Sequence, residues 1–253
     1  MKELSEKLSE RKVNITLDKV DAKIIYYLFK GSKVDTLLVS FDEKRRALST
    51  LDGYKEVSYV ANTYTPPTLE DYMMQNLSEF KRNLPLALGI DPNEIAFLIT
   101  GVNMDCFAFC EQSYEEFKVC CLATAGAKIN AMRTGVDVTS YVERDGHVSA
   151  IGTINLILLT NAALSEAAMA RAIITATEAK TAALQDLDVR SNYSPQYQAT
   201  GTGTDNIIVV SGKMGTPLHV TSGHTKMSEL IGFSTKNVVT EALKKFDKWK
   251  AGF

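Results

Sequence analysis

Ile154-Asn155-Leu156-Ile157-Leu158-Leu159, then Ser165, then the alanine-rich run Thr175-Ala176-Thr177-Glu178-Ala179-Lys180-Thr181-Ala182-Ala183-Leu184 is the stretch on which the fold turns. The first segment is almost wholly apolar, as a strand covered on both faces must be. Ser165 is a good N-cap, and it predicts a helix running to about Leu187. A helix so rich in alanine lets another element pack close against it, yet it places a Glu and a Lys in its middle. A loop over 188–205 leads to a second apolar strand, Asn206–Ser211. The chain then closes in a helix whose apolar positions Met227, Leu230, Ile231, Val238, Leu243 and Phe246 keep a helical period.

Upstream the chain reads as β-rich. Strands are expected at Val13–Leu17, Lys23–Phe29, Thr36–Ser40 and Lys55–Asn62, with turn chemistry at Gly31-Ser32 and Asp52-Gly53. After Pro66-Pro67, Thr68 caps a helix predicted to reach about Leu84, where Pro85 ends it. Its core face would be Leu69, Tyr72, Met73, Leu77 and Phe80. Further strands follow at Glu94–Thr100, Cys106–Glu111, Lys118–Thr124 and Thr153–Thr160. Strands alternate with helices only in the second half. This predicts an α+β class, a single-domain layered fold with a mixed β-sheet and helices packed on its faces. The domain is expected over residues 21–253, behind an N-terminal extension of residues 1–20.

The 253 residues suffice for a full core, and 45% hydrophobic with 23% charged residues is ordinary for a globular protein. The net charge of −2, with no basic stripe, argues against a nucleic-acid partner. No run approaches the roughly 20 apolar residues of a membrane span, and Met1–Lys7 lacks a signal-peptide core. The expectation is a cytoplasmic protein with no membrane partner. Adjacent Cys120 and Cys121 point to opposite faces of a strand and cannot chelate one metal, and Cys106 and Cys110 lack a second ligand pair. All four are expected to be reduced structural thiols.

Three segments offer site chemistry. In Ala123-Thr124-Ala125-Gly126-Ala127-Lys128-Ile129-Asn130, a strand, a small turn and a short helix are expected; Gly126 would admit a ligand to the backbone and Asn130 would bond it. A plain tight turn is the alternative. In Ala199-Thr200-Gly201-Thr202-Gly203-Thr204-Asp205, two glycines permit positive φ, so that N–H groups converge on an acceptor, and Asp205 can orient a water or bond an amide. An ordinary loop with Asp205 capping its own turn is the alternative, and the Lys-Ser/Thr ending of a phosphate loop is missing. Within the alanine-rich helix, Glu178 and Lys180 point apart; Glu178 shares a stripe with Arg171, Thr175 and Ala182, and Lys180 is either functional or a surface lysine. Of three histidines, His147 reads as a turn residue and His219 as a strand-surface residue. His224, behind Gly223, is the best acid/base or ligand candidate, with helix capping as its alternative. Glu229 can meet His224 only if His224 lies in the preceding loop.

These same residues resemble the adenosylcobinamide amidohydrolase family. The similarity rests on Gly152-Thr153-Ile154-Asn155, Ala176–Leu184, Ala199–Asp205, Gly223-His224-Thr225 and Glu229-Leu230-Ile231-Gly232, on the Gly126 turn with Asn130-Ala131, and on Arg46-Ala47-Leu48-Ser49-Thr50 with Asn62. It spans roughly residues 20 to 245. The chain departs from the pattern at Leu51-Asp52-Gly53-Tyr54, where one glycine stands for a pair. It departs again at the bulkier Lys128 and Ile129, and at Met227-Ser228 before Glu229.

The resemblance implies hydrolysis of the aminopropanol amide of adenosylcobinamide to adenosylcobyric acid and 1-amino-2-propanol in corrinoid salvage. The partner would be a corrinoid substrate bringing its own cobalt, with no other cofactor or metal expected; a homo-oligomer is compatible with the sequence. Amide hydrolysis needs an activated water or nucleophile, oxyanion donors and an acid for the leaving amine. His224, Glu178, Asp205 and Glu229 form the acid/base pool. Asn130, Gly126, Asn155, Lys180, Thr200, Gly201, Thr202, Gly203 and Thr204 form the substrate-binding set. His224 alternatively ligates cobalt. A covalent route lacks an obvious base beside a threonine or cysteine. Two rivals stand beside this reading. One is a non-catalytic binder of a corrinoid or other large metal chelate, motivated by the departures; the other is a metal-dependent hydrolase of a different amide.

Overall fold

The computed structural model describes residues 5–139 and 153–251. His147 and Gly152 lie outside them. In chain order the elements are β1 (Ser5–Val13), β2 (Val20–Phe29), β3 (Ser32–Ser49), β4 (Gly53–Tyr64), α1 (Glu70–Gln75), α2 (Leu77–Ala87), β5 (Ile95–Thr100), β6 (Ala108–Tyr114), β7 (Phe117–Ala125), β8 (Ala131–Met132), β9 (Ile154–Thr160), β10 (Ala162–Leu164), α3 (Glu166–Asp186), β11 (Gly201–Thr202), β12 (Asn206–Val210), β13 (Met214–Leu218) and α4 (Lys226–Ala251). This is the α+β layered fold with a mixed sheet. Among the described residues nine strands share one sheet, β1-β2-β3-β12-β9-β7-β6, with β4 pairing β3 and β5. Residues 5–13, expected outside the domain, pair with β2 as an edge strand.

The sheet curls because β3 is long enough to serve three partners. Its first half lies between β2 and β4, and its second half between β4 and β12. Alternation then sends successive residues of each strand into different cores. Ile24, Val60, Ala96, Cys120, Ile157 and Ile208 fill the concave interior. Their neighbours Ile25, Ala61 and Phe97 pack under α1 and α2, while Cys121, Leu156, Leu158, Ile207 and Val209 pack under α3 and α4. Both faces are covered, which is why these strands read as continuous apolar runs. Burial pushes the Cys121 thiol up to about 12 and Cys106 up to about 11, so they are inert packing groups. No described helix is long and apolar enough to cross a membrane.

Two helix expectations are corrected. The helix from Thr68 is a single 3-10 turn at Pro67–Leu69 followed by two helices that break at Asn76, whose φ of −136° and ψ of 43° are not helical. Pro85 sits inside the last turn of α2 rather than ending it. The short helix expected after Gly126 is a turn leading into β8, which pairs with β11.

At one end the concave interior turns polar. β4, β5 and β7 finish there, while β9 and β12 begin there, and inward positions in phase with the apolar ones carry Asn62, Thr124, Asn155 and Asn206. Asp35, two residues before inward Leu37, is 1% exposed at this end and accepts a 3.3 Å hydrogen bond from Met104 N–H. Burial raises its carboxyl to about 6, and nearby Asp105 adds to the shift against Met104 N–H and Lys33; Tyr27 and Tyr64 are its aromatic neighbours. A raised folded-state value means the native state holds this proton more tightly than the unfolded chain. Its stability contribution is therefore present below the ordinary aspartate value and lost as pH rises through about 6. Asp35→Asn, which keeps an acceptor for Met104, is expected to raise stability at pH 7 by about 2–3 kcal/mol and to flatten the slope over this window. Urea titrations across pH 4–8 check this; an unchanged slope in the variant would refute the assignment.

Candidate functional site

The polar end of the interior forms a mouth built by five strand ends, α3 and the segment over residues 199–205. Its floor is a chain of buried amides. Asn62 Nδ2 donates to Thr124 Oγ1 at 2.8 Å, and Asn155 Nδ2 donates to Asn62 Oδ1 and to Ile99 O, each at 2.9 Å. Thr153 Oγ1 donates to Asn155 Oδ1 at 3.3 Å and also to Thr204 O. On the rim, Thr50 Oγ1 donates to Asn206 Oδ1 at 2.9 Å, and Asn206 Nδ2 to Thr204 O at 3.0 Å.

Beside this floor lies the strongest electrostatic feature of the mouth, an ion pair between Lys180 and Asp205 whose side chains are 8% and 14% exposed. Helical spacing explains the lysine. Ala172, Ala176, Lys180 and Ala183 share the stripe of α3 that faces the sheet, and the alanines bring the helix close enough for Lys180 to reach the strand ends. Asp205 Oδ2 accepts from Lys180 and from Thr202 N–H at 3.0 Å; Oδ1 accepts from Thr202 Oγ1 at 2.6 Å and Ile154 N–H at 3.0 Å. One carboxylate thus joins β9, α3 and β11.

Glycine matters here for space. Neither Gly201 nor Gly203 has positive φ, contrary to expectation. A Cβ on Gly201 would lie 2.7 Å from Lys180 Nζ and closer still to Asp205 Oδ2, so the pair occupies the place of a side chain. The loop N–H groups do not converge on open space either: Thr200 bonds Met132 O, Gly203 bonds Asn130 O, and Thr204 bonds Thr202 Oγ1. Gly126 is likewise a packing glycine, since a Cβ there would sit 2.8 Å from Val102 and 3.0 Å from Phe246.

The expected single cleft is not what the chain builds. Asn130, Asn155, Lys180, Gly126, Asp205 and residues 200–204 gather at the mouth. Glu178 is exposed on the opposite side of α3 from Lys180. His224 is exposed in the loop before α4, and Glu229 is exposed in its first turn, paired with Lys226 at 2.8 Å. That loop is tied to the first half of α3 by Thr221 and Thr175, and Met227 meets Thr160 at the far end of β9. β9 begins beside Asp205, so most of its length, about 20 Å at the rise of a strand, separates the two groups. Asn62, Thr124, Thr153 and Asn206 gather there too, of which Asn62 and Thr153 entered the sequence reading only through the resemblance. Their signal was a polar residue falling in phase with an inward apolar stripe. Among the described residues no three His, Cys, Asp or Glu side chains gather as a metal site.

Residues 21–251 match the family model described as adenosylcobinamide amidohydrolase. The chain belongs to the adenosylcobinamide amidohydrolase family. A protein of Methanosarcina mazei named adenosylcobinamide amidohydrolase is 31% identical over 182 residues, covering 70% of this chain and 74% of its own. A Methanocaldococcus jannaschii protein named only as uncharacterized is 46% identical over 226 residues, covering 85% and 88%. The crystal structure of a Pyrococcus horikoshii OT3 protein aligns over 95% of this chain and 82% of that one, at 13% identity and a TM-score of 0.38.

Removing one partner of a buried pair strands the other charge. Lys180→Met is therefore expected to cost about 3–5 kcal/mol, and Gly201→Ala about 1–3 kcal/mol by wedging the pair apart. Chemical denaturation of both variants measures this, and a loss below 1 kcal/mol for Lys180→Met would show the pair to be dispensable to the fold.

Proposed function

We propose that this protein hydrolyses the amide joining the aminopropanol arm to the corrin ring of adenosylcobinamide, releasing adenosylcobyric acid and 1-amino-2-propanol for corrinoid salvage. The observation that carries the proposal is the near-buried Lys180–Asp205 pair beside the Asn62–Asn155–Thr124 chain, in a member of this family. A corrin ring bears many amide arms, and the half-buried polar residues at the rim, Asn130, Thr200, Thr204 and Asn206, can donate to and accept from them. The reaction needs positive charge where the tetrahedral oxyanion develops and a group to carry a proton to the leaving nitrogen. Lys180 supplies the first and Asp205 the second. The substrate brings its cobalt, and the mechanism draws on no further cofactor.

The test is mass spectrometry of the corrinoid after incubation of the pure protein with adenosylcobinamide, with the released amine quantified. Product is expected. Asp205→Asn is expected to lower turnover at least about 10²-fold, in the range typical for proton-transfer groups. His224→Ala is expected to stay within a few-fold, because His224 lies at the other end of β9. Collapse of turnover in His224→Ala with Asp205→Asn active would move the chemistry to that end. Tight binding without product would mark the protein as a corrinoid binder.

A further inference from the structure

We propose, on the basis of the amide-hydrolase reading above, that Thr202 is the catalytic nucleophile and that the reaction passes through an ester between Thr202 and the corrinoid. Asp205 has no vacant position for a water. Its Oδ2 is taken by Lys180 and Thr202 N–H, and its Oδ1 by Ile154 N–H and the Thr202 hydroxyl. The one hydrogen-bonded proton that Asp205 can remove from a potential nucleophile is therefore that of Thr202, along the existing 2.6 Å bond. Four other hydroxyls at this end donate elsewhere: Thr153 to Thr204 O, Thr181 to Thr177 O or Thr200 O, Thr200 to Met132 O and Thr50 to Asn206. Thr202 is 8% exposed and is bordered by exposed Gly203 and half-buried Thr204 and Asp205. An aminopropanol amide at the end of a flexible arm can enter where a whole corrin ring cannot.

The steps balance without any outside reagent except water. Thr202 Oγ1 adds to the amide carbonyl carbon while its proton passes to Asp205, and the oxyanion is met by the Lys180 ammonium. Collapse breaks the C–N bond, and Asp205 hands its proton to the departing amine nitrogen. Water then adds to the ester carbonyl, giving a proton to Asp205. The C–O bond to Thr202 breaks, the proton returns to Oγ1, and the acid leaves.

The experiment compares wild type with Thr202→Val, which keeps the size of the side chain, and Thr202→Ser, which keeps a hydroxyl. The readouts are 1-amino-2-propanol release, cobinamide binding, thermal melting, and acid-quenched peptide mapping during the first turnover. Thr202→Val is expected to lose turnover about 10³-fold or more while cobinamide binding stays within a few-fold. Thr202→Ser is expected to recover part of the loss. The wild-type peptide containing residue 202 is expected to carry the corrinoid acyl group. A folded Thr202→Val within ten-fold of wild type overturns the proposal. So does an inactive Thr202→Val whose wild-type counterpart shows neither the acyl peptide nor an initial burst of amine, which leaves Thr202 a positioning role. Absence of amine release from wild type itself would instead sink the hydrolase reading.

Discussion

The buried pairing of Lys180 with Asp205 is the interaction on which the rest of this end of the molecule depends. Taking an ammonium and a carboxylate out of water costs several kcal/mol per ion, and mutual attraction offsets this only when the remaining lone pairs are also satisfied. Here Asp205 meets that condition through Thr202 N–H, Thr202 Oγ1 and Ile154 N–H. The requirement propagates outward. Residue 201 must lack a side chain, α3 must be lined with alanine to approach the sheet, and β11 must hold Thr202 against the carboxylate. An isolated ion pair of this kind adds little to stability over apolar packing.

The curled sheet explains why the pair sits where it does. Because β3 serves β2, β4 and β12, the concave side encloses a core that only its ends can connect to solvent. Polar residues that keep the inward phase at one end, Asn62, Thr124, Asn155 and Asn206, bond one another or nearby backbone, so their burial leaves few unmet groups. The same end holds Asp35, whose carboxyl is raised by burial. A rigid, fully bonded amide floor holds the nearby ion pair in one geometry.

Much of this was legible in the sequence, and the misses have physical causes. The central strands followed from apolar runs, since a strand covered on both faces leaves no other composition, whereas the strand expected at Val13–Leu17 lies instead at Ser5–Val13, a charged edge strand that no apolar run announces. The helix after Pro67 broke at Asn76 because local patterning cannot anticipate a non-helical residue between two amphipathic turns. Lys180 and Glu178 were both conspicuous, but choosing between them required knowing which stripe of α3 faces the sheet. The alanines at 172, 176 and 183 carried that answer, and counting them as a stripe would have favoured Lys180. The glycines at 201 and 203 suggested φ freedom and Gly126 a close approach of ligand to backbone, whereas at 126 and 201 the demand is for volume set by side chains packed against them, which no local pattern reports. His224 and Asp205 share one family motif set but lie at opposite ends of β9, because α3 returns the chain to the mouth and the segment after β12 carries it away again.

That return path also fixes the electrostatics. In a parallel β-α-β unit, ligands commonly lie at the carboxyl ends of the strands, where helix N-termini offer partial positive charge. Here the polar mouth is at the amino ends of β9 and β12, and both α3 and α4 point their C-terminal ends towards it, α3 through Lys180 and α4 through Phe246 beside Gly126. Each such end carries roughly half a negative charge. The helix ends therefore add to the negative potential there, and loop N–H groups already bonded within the fold do little to reverse it. A full positive charge placed among the strand ends is the remaining remedy. Lys180, reaching out from the sheet-facing stripe of α3 two turns before its end, is the side chain that provides it.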